Sequence, residues 1–112
     1  MNITQSTIPN IPSYSPDLGK DIIEYATCNN IPVIDMVNYY CQIYITFSEV
    51  EEVKVSLVAD QEIENYQKIR FHLKTKSSVD AVLEKEAEFN KIIRKTIPRG
   101  SRTHFVLTPQ II

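Results

Sequence analysis

Apolar side chains recur along this chain with two different periods, and the change of period marks out its elements. Leu18, Ile22, Tyr25 and Ala26 fall at helical spacing. Ahead of them, Ser15-Pro16-Asp17 has the makeup of a helix start: a capping hydroxyl, a proline whose missing N–H costs nothing there, and a carboxylate near the positive helix end. Asn29-Asn30 ends this helix, because asparagine tolerates the left-handed conformation. A second, short helix is expected from Asn30-Ile31-Pro32 to about Tyr39, with Val33, Met36, Val37 and Tyr40 on one side.

Strict alternation then sets in. Cys41, Ile43, Ile45 and Phe47 point one way in a first run, Val53, Val55, Leu57 and Ala59 in a second, and Ile69, Phe71 and Leu73 in a third. Short polar connections, Ser48–Glu52 and Asp60–Asn65, join these runs into an antiparallel meander. Ser77, with Asp80 three residues on, caps a long helix ending near Thr96 before Pro98 and Gly100. Thr103–Thr108 alternates again and adds a fourth strand, parallel to the third or the first, through a β-α-β crossover. The expected fold is therefore α+β: a meander of three strands plus one crossover strand, the long helix on one sheet face, and one or two N-terminal helices. Residues 1–14, uncharged and without a period, read as a flexible leader to a single domain over 15–112.

The long helix carries an irregular stripe. With Val79 at zero, Leu83 and Ile97 fall within about 40° of it and Val82, Phe89 and Ile93 within about 80°. Glu86 and Asn90 fall about 20° to either side of its centre. A carboxylate buried there needs a partner, because an unpaired buried charge costs several kcal/mol. Three readings follow: a structural hydrogen bond, a catalytic carboxylate, or a subunit interface in which Glu86 and Asn90 meet a second copy.

Charge adds a second asymmetry. The net charge is −2, which argues against a strongly basic nucleic-acid binder. Acids nevertheless crowd Glu49–Glu64, whereas Asn90–Ile112 has none and holds Lys91, Arg94, Lys95, Arg99 and Arg102. Alternation also puts Tyr44, Lys54, Ser56, Arg70, His72, Lys74 and His104 on the wetter sheet face. Arg70, His72, Arg94, Arg99 and Arg102 are accordingly the candidates for binding a phosphate ligand or nucleic acid.

Other chemistries find little footing. Gly19 and Gly100 are the only glycines, so there is no phosphate-binding glycine loop. Cys28 and Cys41 are too far apart for a redox motif, and with two histidines they form no metal-ligand pattern, so no metal or cofactor is expected. No apolar run is long enough for a membrane span, and the N-terminus has no signal-peptide pattern, so a cytoplasmic location with free thiols is expected. No catalytic signature appears. The preferred reading is a non-enzymatic interaction module forming a homodimer. Nucleic-acid or phosphate binding is the first alternative, and a small metal-independent hydrolase or nuclease using Glu86 or His72/His104 is the second.

Overall fold

Period competition is decided first in the segment after Pro32. The structure, a computed structural model, describes residues 16–59, 62–63 and 66–112. It places one unbroken helix over Val33–Thr46. The expected short helix and first strand are thus one element, and the four-stranded sheet with its three-stranded meander is not formed. Met36, Tyr39, Tyr40, Ile43 and Phe47 are buried at helical spacing. That periodicity runs through the whole segment, whereas the alternation of Cys41–Phe47 is local to its second half.

The elements in chain order are α1 (Lys20–Cys28), α2 (Val33–Thr46), β1 (Val50–Ala59), β2 (Gln67–Thr75), α3 (Val79–Thr96), the single turn α4 (Arg99–Arg102) and β3 (Phe105–Ile111). The sheet is mixed, with order β1-β2-β3: β1 runs antiparallel to β2, and β3 runs parallel to β2 after the crossover through α3. α1 starts at Lys20 behind Gly19, not at Ser15, and the Ile22 N–H donates to Asp21 Oδ1. It ends at Asn29, with Asn30 in the left-handed region at φ 57°. The proposed leader lies outside the described residues.

All the described helices reach the core through one sheet face. Ile69, Phe71, Leu73 and Thr75 of β2 are buried there, while Lys68, Arg70, His72 and Lys74 between them stay partly exposed. Tyr39 of α2 is the hub, with ring centroids 4.4 Å from Phe71, 5.1 Å from Phe89 and 5.0 Å from Phe105. One side chain thereby joins α2, β2, α3 and β3. Aromatic pairs in such tilted and edge-to-face arrangements add about 0.5–1.5 kcal/mol each beyond their area burial.

Two polar ties fix the ends of the layers. Ser77 is not the cap of α3: its hydroxyl donates to the Ser48 carbonyl, as does that of Thr75, which binds the α2–β1 turn to the end of β2. Ser78 is the cap, accepting from the Ala81 N–H. At the other end, Ser101 of α4 donates at 2.6 Å to Asp35 of α2, and both residues are buried. Ser101→Ala leaves that carboxylate without its donor. We expect a loss of about 1–3 kcal/mol in unfolding free energy, read from urea denaturation with an unchanged m-value.

Candidate functional site

The sheet's second face is not covered by any described helix, and its chemistry follows from the ladder register. Lys54, His72 and Thr108 stand side by side across the three strands, as do Ser56, Arg70 and Val106. Glu52, Lys74 and Gln110 form the next row, and Val58 stands beside Lys68. The face therefore carries Lys54, Lys68, Arg70 and Lys74 against the carboxylate of Glu52, which lies 3.5 Å from Lys74. Tyr44, assigned to this face by alternation, belongs to α2 instead.

Arg70 and His72 are locked together at the centre. Arg70 Nη2 donates to His72 Nδ1 at 3.2 Å, so that nitrogen is an acceptor. Nε2 then carries the hydrogen and donates to Gln110 Oε1 at 2.7 Å, while the Thr108 hydroxyl lies 3.1 Å from Nδ1. Both ring nitrogens of His72 are thus engaged. Arg70 Nε is buried and has no hydrogen-bond partner among the described residues. An unmet buried donor costs about 1–3 kcal/mol, so the guanidinium is held here at an energetic disadvantage.

The remaining candidates lie on the helical layer. α3 is turned by about 60° from the expected orientation, so Val82, Phe89 and Ile93 face inward. Val79 and Leu83 are each 59% exposed, and Asn90 is exposed. Glu86 is half-buried beside Tyr39; burial, helped by that carboxylate, pushes the Tyr39 phenol well above the usual tyrosine range. Asn90, Arg94 and Arg102 are brought together around a hollow of about 290 Å³ floored by Tyr39, Ile93 and Phe105. Arg102 is partly spent on structure, because Nη1 donates to the Ile97 carbonyl. Arg99 is exposed on α4 and does not line this hollow. The five anion-binding candidates are therefore divided between two layers.

One feature of α2 escaped the sequence reading. Ile34, Asn38, Cys41 and Ile45 fall on a second stripe opposite the buried one, Cys41 being half-buried against the edge of the core, and the sole charged residue of the helix, Asp35, is buried. Ile34 is 58% and Ile45 45% exposed, with Val33 also exposed beside them. A helix apolar on both sides normally has both sides covered. The signal was present in the residues, but reading Cys41–Phe47 as a strand divided it.

His104 forms a separate arrangement at the start of β2. The Tyr25 hydroxyl donates to the Gln67 carbonyl at 2.8 Å and so accepts from His104 Nδ1, also at 2.8 Å. Tyr66 stacks on the same imidazole, and Tyr25 and Tyr66 line a cleft of about 490 Å³ with Asp21, Glu24 and Cys28. His104 precedes Phe105, the partner of Ile69, whereas His72 faces Thr108. The two histidines are therefore about 13 Å apart along the ladder and do not form a proton-transfer pair.

A search of family models, of curated proteins and of solved structures finds no match to this chain.

Burial, with repulsion from Lys68 as a smaller cause, lowers the His104 pKa below that of an ordinary histidine. The unfolded chain then binds a proton at this position at a higher pH than the folded one. The stability contributed by neutral His104 is present above the unfolded value of about 6.5 and is lost as pH falls through the folded value. Thermal melts across this range should show Tm falling with acidification in the native protein, and falling less in His104→Gln.

Proposed function

We propose that the protein is a non-enzymatic, cytoplasmic interaction module that forms a homodimer by packing α2 against α2 of a second copy. The observation that carries this reading is the uncharged outward stripe of α2. Its residues are spaced symmetrically, Ile34, Asn38, Cys41 and Ile45, with intervals of four, three and four. An antiparallel two-fold crossing centred between Tyr39 and Tyr40 sets Ile34 against the partner's Ile45, and Asn38 against the partner's Cys41. One patch thus serves both copies, as a two-fold interface requires.

Physical terms favour a second copy as the occupant. The stripe spans about 16 Å without a charge, so like meets like without repulsion. Covering the four isoleucines of a dimer from their half-exposed state contributes about 4–6 kcal/mol. Association costs of at least 4 kcal/mol oppose this, so Val33, Val37 and Cys41 of both copies must supply the surplus and a weak dimer is expected. Asn38 near the axis sets the orientation, as a single polar residue does in paired helices. The open sheet face is unsuited to the same role, because copies packed there would oppose their cations. The free thiols Cys28 and Cys41 suit a reducing compartment. Among the described residues, no helix is long and apolar enough to cross a membrane.

Light scattering over a concentration series should show the mass rising from 12.9 kDa toward twice that value as concentration increases. Ile34→Glu/Ile45→Glu places carboxylates opposite one another across the axis and should weaken association at least about a hundredfold. Both positions are exposed in one copy, so folding should be retained. Cys41 gives an independent readout: its alkylation should slow as the dimer forms, while that of exposed Cys28 should not. A monomer at every concentration overturns the proposal, as does a dimer indifferent to the double substitution.

A further inference from the structure

We propose that the open sheet face binds the phosphodiester backbone of a single-stranded nucleic acid laid along β2. Lys68, Arg70, His72 and Lys74 occupy successive same-face positions of the central strand. Same-face neighbours on a strand are about 6.6 Å apart, and the row from Lys68 to Lys74 is about 20 Å long. That interval is close to the separation of successive phosphates in an extended single strand. Lys54 adds a cation beside His72, and Glu52 is the carboxylate at the far end, already facing Lys74.

Arg70 is the anchor. Its Nη2 is held by His72, whose ring is held in turn by Gln110 and lies against Thr108. Its buried Nε lacks a partner among the described residues. This bracing fixes the plane of the guanidinium before a ligand arrives, which lowers the ordering cost of binding phosphate oxygens.

The same face defines what is not read. Among the described residues, aromatic rings flank the row without lining it: the His72 imidazole is engaged at both nitrogens, and Tyr66 lies against Lys68 at one end, stacked on His104. Bases therefore find a single ring at one end and no series of stacking platforms, so binding is chiefly to the backbone, weak and indifferent to sequence. A single row of cations along one strand follows one extended chain of phosphates, whereas the phosphates of a duplex wind around its cylinder. The site is on the layer opposite α2 and does not depend on the helical dimer.

The probe is fluorescence anisotropy of labelled oligouridine and oligothymidine with the full chain over a series of salt concentrations. Engaging three or four phosphates gives a slope of log affinity against log salt of about −2 to −3. Lys68→Gln/Lys74→Gln, both at partly exposed positions, should reduce the steepness by about 1.4. Arg70→Lys keeps the charge but loses the braced fork and should weaken binding about tenfold. Circular dichroism of each variant separates lost binding from lost folding. No binding at low salt, a salt-independent signal, or no response of a folded Lys68/Lys74 variant overturns the proposal. Tighter binding to a duplex of the same sequence, or to phosphatidylserine vesicles than to oligouridine, overturns it in favour of those surfaces.

Discussion

The contact of Tyr39 with Phe71, Phe89 and Phe105 is the interaction on which the other arrangements depend. A three-stranded sheet has one central strand, so its only fully covered row is that of β2. Tyr39 covers Phe71 of that row from α2, and Phe89 and Phe105 close around the same ring from α3 and β3. Once Tyr39 faces the sheet, the helical period carries Met36, Tyr40 and Ile43 inward with it and turns Ile34 and Ile45 outward. The core contact and the outward stripe are consequences of one helix rotation.

The same two-layer arrangement explains why polar groups collect where they do. All the described helices cover one sheet face, so the alternate side chains of β2 are on the other, and in this chain they are basic. Their hydrogen bonds run within the sheet, along β2 from Arg70 to His72 and across to Gln110 of β3, and no described helix stands above to supply partners. The acids of β1 counter the row only at its end: Glu52 reaches Lys74, and Glu51 reaches Lys76 just beyond β2. Such exposed pairs contribute little to stability, so the cationic character of the centre is not cancelled. The two proposed surfaces are accordingly on opposite sides of the molecule. A dimer formed through α2 leaves both basic faces open.

Some of this architecture is legible in the residues. The alternation of Val53–Ala59 and Ile69–Leu73 marks both strands, and the row Arg70, His72 and Lys74 is readable as the wetter face because a period of two admits no other placement. Asn30 in the left-handed region follows from its side chain. Other features exceed local pattern. Cys41–Phe47 satisfies both periods over seven residues, and the tie is broken only by the longer run of buried positions beginning at Met36. α3 shows the same difficulty: Val79 and Leu83 are apolar but exposed, so the mean direction of its apolar residues is not the direction of its core. Ser77 and Ser78 are equivalent as caps by residue type, and the Ser48 carbonyl decides between them.

The sequence by itself therefore determined the elements whose period was unambiguous, the helix stop at Asn29-Asn30 and the cationic alternate face of the central strand. Tertiary structure decided the rest. It chose helix over strand for α2, set the rotation of α3 that leaves Glu86 half-buried and Asn90 exposed, and gathered Asn90, Arg94 and Arg102 around one hollow while leaving Arg99 outside it. The reason is physical: period and propensity act within a few residues, whereas these choices are fixed by which distant side chain fills the space above β2. A ring such as that of Tyr39 gains its contacts from partners up to 66 residues away, and no local pattern encodes their meeting.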